Sequence, residues 1–404
     1  MSNIIRTCNI VKDITLVYLS DRDQDTDLNS KSKSLKKLAS VFSSYGGVLG
    51  KIAQTLSLEN QQSNVYDNVR SFASDDTHKY VTDVVLKSDD FKNITVENSI
   101  YMNGSLGQVY KGLDQYGKQI IVKVKYVNVD EETKGDLGIV KLLINYLMSA
   151  NHLQNALIDI NEKMLEELDY SIEIRNQITI KKIWDVQSAQ IQIPTVYPDL
   201  CSNNVIVMEF MEDFKSMREF LAESNQDEKN NIGNLILEFV FENLYQHNIF
   251  YSDIHYGNFL IKDNNTLCVL DFGCITYYDD DMISNLKTIH EKIYNQDKDG
   301  FFEIMTTIGI LMDNTSDESK SYCYDFFKLQ YEPLLKDGFV LTDEWVDMAG
   351  EKNTELMKEW GLPLGFIYLH KIPYGMYHIL AKMNLQVDCG KHLYDNYVNP
   401  IHGK

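Results

Sequence analysis

The sequence contains no apolar run approaching the roughly 18 to 20 residues that span a bilayer, so no membrane-crossing helix is expected from it. It has no Cys-x-x-Cys pair. The six cysteines, Cys8, Cys201, Cys268, Cys274, Cys323 and Cys389, are scattered without Cys/His zinc spacing; they read as reduced packing residues, and a structural metal is not expected. Basic residues are in deficit, 38 against 59 acidic, for a net charge of -21. That balance disfavours general attraction to nucleic acid or anionic lipid and limits membrane contact to a peripheral one, while leaving room for a local basic pocket. A secretory pattern is missing from the start of the chain, and "SDRDQDTD" is too acidic for a transit peptide, which makes the cytoplasm the expected location. Internal repeats and low-complexity tracts are absent too.

What is present is an ordinary globular composition, 44% hydrophobic and 24% charged over 404 residues. That length suits two or three compact units or one large two-lobed domain. Leu35, Leu38, Phe42, Tyr45, Leu49, Ile52 and Leu56 recur at steps of three and four, the stripe of an amphipathic helix. Yet Gly46, Gly47 and Gly50 interrupt it, at about 1 kcal/mol each relative to alanine. Lys51 and Gln54 fall on the face away from the stripe, beside Gly47 and Ser40, Ser43 and Ser44. Two readings fit: a closely packed helix with a solvated lysine, or a helix laid over a site with Lys51 and Gln54 reaching inward.

From Ile100 the texture turns to β. "IYMNGSLGQVYKGLDQYGKQIIVKVKY" reads as strand, small-residue turn, strand, a hairpin turn at Gln115 to Lys118, and a third strand. Helical patterns follow from about Glu131 to Ser149 and from about Asn155 to Ile183. Strands return in "QIPTVYPDLCSNNVIVMEFME", and the rest is mainly helical apart from "NIFYSDIHYGNFLIKDNNTLCVLDFG". The order suggests a small β-rich lobe, a connector and a larger helical lobe.

The strongest chemical signal is Asp253-Ile254-His255-Tyr256-Gly257-Asn258, with Asp271-Phe272-Gly273 beginning thirteen residues after Asn258. Asp and Asn five apart on a loop, then a strand ending in Asp-Phe-Gly, is how protein kinases place a catalytic carboxylate and hold Mg²⁺ against ATP phosphates. Either piece alone would pass for a turn. Lys123, flanked by valines and isoleucines, suits the kinase strand lysine; Lys125 shares its face and reads as an exposed strand lysine. In "NGSLGQVYKG", Gly104, Ser105 and Gly107 would let backbone N–H groups approach phosphates. Glu162, Glu166, Asp169 and Glu173 follow at helical steps, offering an acidic partner for Lys123 or a solvated stripe.

Taken with "KIAQ", "EELDYSIEIRN" and "VMEFME", these segments resemble the UbiB family of atypical kinase-like proteins, associated with coenzyme Q and other isoprenoid-lipid metabolism. The likeness runs from about residue 35 to the C-terminal helices, where "LGFIYLHKIPYGMYHILAKMN" is similar to the family's tail. It implies an α+β, two-lobed protein-kinase-like fold: an N-terminal helical extension over residues 1–95, a β-rich N-lobe over 96–212 and a helical C-lobe over 213–404. By the same resemblance Lys123 meets the nucleotide phosphates with Glu173 as its partner, Asp253 is the catalytic-loop carboxylate, and Asn258 and Asp271 are Mg²⁺ ligands. Glu209 falls at the hinge, touching adenine through its backbone neighbourhood; Lys51 with Gln54, and Glu167 with Asp169, match two family signatures that face each other near the phosphates. Two departures stand out: Ala53 replaces a family glycine, and Gly104 a family alanine, so nucleotide binding is expected to respond to Gly104→Ala.

The activity implied is that of an Mg-ATP-dependent atypical kinase or ATPase, with a lipid- or quinone-pathway partner implied by the resemblance alone. No Ala-Pro-Glu motif follows Asp-Phe-Gly, which favours water or a small molecule over proteins as phosphoryl acceptor. A nucleotide-gated scaffold without turnover is the alternative, and a helical interaction protein with accidental motifs is a third.

Overall fold

In the stretch "QIIVKVK", Ile120, Val122 and Val124 are buried on one face while Ile121 and Lys123 stand half-buried on the other, the period-two signature of a strand. The computed structural model describes residues 12–13, 41, 79–81, 93–103, 106–126, 129–131, 133–138, 165–360 and 376–399. The chain divides into two compact units: Met1–Arg175 with Thr195–Phe210, and Asn176–Pro194 with Met211–Lys404.

The first unit is built on an antiparallel sheet of β1 (Thr95–Val96), β2 (Met102–Asn103), β3 (Gly107–Leu113), β4 (Gln119–Lys125) and, after β5 (Ile191–Gln192) of the other unit, β6 (Val205–Glu209). The order is β1-β3-β4-β6, with β2 also on β3, and the register sets Lys123 between Val109 and Ile206. The hairpin turn joining β3 to β4 is closed by Asp114, whose Oδ1 accepts from the Tyr116 and Lys118 N–H groups at 2.8 Å each. Gly117 follows at φ 81°, a conformation that favours glycine. Tyr110, Ile120, Val122, Val124, Val205 and Val207 form the core with Val81.

One helical expectation needs correcting. The acidic segment does not run as one helix into Glu173: residues 165–167 are helical, the chain turns at Leu168, and a new helix, α1 (Tyr170–Gln187), begins. Asp169 makes the break, its Oδ1 accepting the Ser171 N–H at 2.9 Å, the local bond by which aspartate competes with helix continuation. Glu166 and Asp169 therefore share no continuous helical stripe with Glu173, and Glu162 lies outside the described residues.

In the second unit, β7 (Lys215–Ser216) leads into α2 (Met217–Glu223) and α3 (Gln226–His247), both opened by capping boxes at Ser216/Glu219 and Asn225/Glu228. Left-handed Asn248 ends α3 and turns the chain into β8 (Ile249–Tyr251). Next come β9 (Phe259–Lys262), β10 (Thr266–Val269), β11 (Ile275–Tyr277) and four helices, α4 (Asp280–Tyr294), α5 (Lys298–Thr307), α6 (Asp317–Tyr331) and α7 (Asp343–Trp360). One sheet runs β5-β10-β9-β7, and β8 pairs with β11. An aromatic column links the core to the β8 end: Trp184 to Phe239 at 5.4 Å, Phe239 to Tyr251 at 5.4 Å, and Tyr251 to Phe272 at 6.0 Å. Among the described residues no helix is long and apolar enough to cross a membrane.

Candidate functional site

In the first unit, the Lys123 Nζ reaches Glu173 Oε1 at 2.7 Å and Oε2 at 2.9 Å. Glu173 sits in the first turn of α1, where exposed helix N–H groups favour a carboxylate. The Tyr170 ring lies 5.1 Å from the same ammonium. Two charges so deep would each be costly alone, and their contact offsets that cost.

Lys125 is not the exposed strand lysine that alternation suggested. It is buried, pairs with Asp130 at 2.9 Å and donates to the Leu168 carbonyl, because the turn at Leu168 covers that end of the strand's face. Gly107 has a packing reason beside the one expected from phosphate approach: a side chain there would meet the Val124 carbonyl oxygen and lie 2.7 Å from the Tyr170 hydroxyl. Gly104 and Ser105 fall outside the described residues, as do Lys51, Gln54 and nearly all of the expected N-terminal extension. Glu167, half-buried, precedes the break that Asp169 makes.

Glu209 closes β6. Its carboxylate is tied to Lys118 Nζ at 2.8 Å and to the Thr195 N–H at 3.2 Å. Burial alone would raise its pKa, but these two bonds outweigh burial and hold the carboxyl below its ordinary range. With the side chain committed to the sheet, any nucleotide contact here falls to the main chain.

In the second unit, the loop after β8 gathers the remaining residues. The Asn258 Nδ2 donates to the Asp253 carbonyl at 2.8 Å and approaches Asp253 Oδ2 at 3.3 Å. The β9–β10 hairpin then folds the chain back, so that the Leu270 N–H donates to the Asn258 carbonyl at 3.0 Å and Asp271 follows directly. Asp271 Oδ1 accepts the Gly273 N–H at 2.9 Å, and Ser252 ties the loop to Asp-Phe-Gly by donating through Oγ to the Cys274 carbonyl at 2.9 Å. Asp253, Asn258 and Asp271 are thereby brought together by one hairpin and one loop.

Two residues were missed in the sequence. Tyr251, fully buried, lies against Asn258 without the geometry of a complete hydrogen bond; burial first, then the Asp271 and Asp253 carboxylates, push its phenol well above the usual range, against a smaller opposing effect of Asn258. Asn176, buried one turn after Glu173, donates to the Phe272 carbonyl at 2.9 Å and accepts from the Tyr277 hydroxyl at 3.0 Å, clamping Asp-Phe-Gly. The three-residue spacing of Glu173 and Asn176 was the available signal.

The donors suit Mg²⁺. Asn258 commits its N–H to Asp253, which leaves its amide oxygen to ligate, and Asp271 adds a carboxylate. Among the described residues no group of three or more His, Cys, Asp or Glu side chains forms a metal cage. Magnesium bound with phosphates commonly takes only one or two protein oxygens, so a cage is not required.

Comparison with known proteins agrees in kind. The model of the ABC1 atypical kinase-like domain matches residues 65–305. The chain is 26% identical over 358 residues to an uncharacterized protein of the hydrogenase 1 5' region in Clostridium pasteurianum, covering 83% of this chain and 66% of that one. It is 23% identical over 383 residues to the mitochondrial atypical kinase COQ8 of Saccharomyces cerevisiae, covering 89% and 75%. A Mycobacterium tuberculosis protein solved in complex with erythromycin aligns with a TM-score of 0.65 at 19% identity, over 91% of this chain and 96% of that one. At that identity the likeness speaks for the fold, which is kinase-like.

Proposed function

The chain belongs to the family of ABC1 atypical kinase-like domains, and from that premise we propose that it is an Mg-ATP-dependent phosphotransferase or ATPase acting on water or a small molecule. The observation that carries the reading is the convergence of Asp253, Asn258 and Asp271 through the β9–β10 hairpin. Lys123, held extended by Glu173, binds the nucleotide phosphates. By the family resemblance, Gly104, Ser105 and Gly107 would offer backbone N–H groups to them, and the Glu209 main chain would meet adenine. Asn258 and Asp271 would hold Mg²⁺, which when bound neutralises phosphate charge and aligns the transferring group. Asp253 takes the proton of the acceptor hydroxyl as that oxygen bonds to the γ-phosphorus and the bond to the departing ADP oxygen breaks. Lys51 and Gln54, with Glu167 and Asp169, are assigned a regulatory role by the family resemblance alone.

A small acceptor is favoured because only residues 274–279 separate Asp-Phe-Gly from α4, with β11 occupying half of them. That leaves little room for a platform that would seat a peptide. A lipid- or quinone-pathway partner belongs to the proposal on the family resemblance alone.

The test is thermal unfolding of the wild type and Asp271→Asn with ATP alone and with Mg-ATP, followed by multiple-turnover phosphate release. Ligand at a hundred times its dissociation constant adds about 2.7 kcal/mol of stability. A metal-dependent rise that weakens in the variant is expected, together with turnover. A rise without turnover would make the protein a nucleotide-gated scaffold, and no rise in the wild type at millimolar Mg-ATP would remove the nucleotide site.

A further inference from the structure

The imidazole of His255 is fixed by its own loop. Its Nδ1 accepts the Gly257 N–H at 3.0 Å, capping the short 3₁₀ turn Tyr256–Asn258. A ring nitrogen that accepts carries no proton, so in the neutral ring the proton sits on Nε2. That nitrogen lies 3.5 Å from Asp253 Oδ2. Gly257 makes the ring's position available: a Cβ at 257 would approach the imidazole Cε1 at 3.0 Å and Nδ1 at 3.2 Å, tight enough to displace it. Asn258 Nδ2 faces the same Oδ2 at 3.3 Å. Two N–H donors from one turn thus converge on one oxygen of the Asp253 carboxylate.

We propose that His255 is a positioning residue for phosphoryl transfer: its Nε2–H, together with Asn258, holds Asp253 Oδ2 and so orients the carboxylate that takes the proton of the acceptor hydroxyl. The inference rests on the phosphotransferase reading and deepens it. The 3.5 Å contact is longer than a mature hydrogen bond, and contacts of this kind tighten in the substrate complex. The role needs the neutral ring only. A base turned out of line costs rate without costing nucleotide affinity, and small misplacements around a reacting centre are worth on the order of 100-fold.

Two substitutions separate the two ring nitrogens. In His255→Asn the amide can still cap Gly257 from near the Nδ1 position but cannot reach Asp253; in His255→Gln the amide reaches the Nε2 position. The expected result is that His255→Asn keeps the Mg-ATP thermal shift and the KM for ATP while kcat falls about 10- to 100-fold, and that His255→Gln restores most of it. Gly257→Ala, which leaves the imidazole chemically intact but crowds it, should lower kcat in the same way and serves if His255→Asn does not fold. Wild-type kcat in folded His255→Asn or Gly257→Ala, or equal losses in the Asn and Gln variants, would overturn the assignment. Failure of the underlying reading looks different: the wild type itself would then show neither an Mg-ATP shift nor phosphate release, and the positioning role would go with it.

Discussion

Two ion pairs, one from the turn just before strand β4 and one from within the strand, have nearly the same length and unlike surroundings. Lys123 meets Glu173 at 2.7 Å with their side chains 15% and 5% exposed; Lys118 meets Glu209 at 2.8 Å with theirs 52% and 26% exposed. Distance therefore does not rank them, and access to water does. Inside, each charge has lost most of its hydration and the partner replaces much of it, so the pair adds little net stability yet cannot be opened from one side without a large penalty. Outside, water takes the place of either partner, and the contact is worth at most about 1 kcal/mol.

The sharpest way to break this contrast is to remove one buried partner. Lys123→Met should destabilise the unit that contains it by about 3 to 5 kcal/mol in denaturant unfolding without nucleotide, because the buried Glu173 charge loses its ammonium partner. The double variant Lys123→Met/Glu173→Leu should recover most of that loss. A single variant as stable as the wild type would mean that solvent reaches Glu173 and that the two pairs do not differ in kind.

Lys125 provides an intermediate case. Its own side chain is 5% exposed, but its partner Asp130 is 45% exposed, so removing the lysine strands no buried carboxylate. It does forfeit the bond to the Leu168 carbonyl, a contact between a charged donor and a neutral acceptor. Lys125→Met should therefore cost about 1.5 to 3 kcal/mol in the same unfolding experiment. A loss as large as that of Lys123→Met would show that the carbonyl, and not a stranded acid, dominates.

These residues also show what a single sequence makes legible. The two-lobed layout could be read from strand alternation and helical periods, which are local patterns, whereas the kinase-like fold came from the family resemblance that the motifs carry; Asp253, Asn258 and Asp271 were nominated by residue type and spacing. Lys125 was misjudged because what covers it comes from Leu168, 43 residues on, and alternation reports a face without reporting its cover. Asn176 and Phe272 are 96 residues apart, so nothing near either announces their contact. The break at Asp169 was hidden for the opposite reason. It is entirely local, but an aspartate that turns its carboxylate onto the Ser171 N–H looks in sequence like any acidic residue on a helix face.

The smallest expected effect belongs to the exposed pair, and its pH dependence carries the test. Glu209 has a folded pKa below the ordinary glutamate value of 4.5, since its bonds to Lys118 and Thr195 outweigh burial. A depressed carboxyl contributes stability above its unfolded pKa, and that contribution fades as pH falls through the folded one. The stability difference between wild type and Glu209→Gln should then be at most about 1 kcal/mol near neutral pH. It should shrink on acidification below 4.5 and shrink again when salt is raised. Because the Thr195 N–H can still donate to a glutamine oxygen, the substitution isolates the Lys118 charge contact from the backbone one. A difference that matched Lys123→Met, or that grew as pH fell, would show that Glu209 behaves as a buried group despite its exposure, and water access would no longer separate two contacts of nearly equal length.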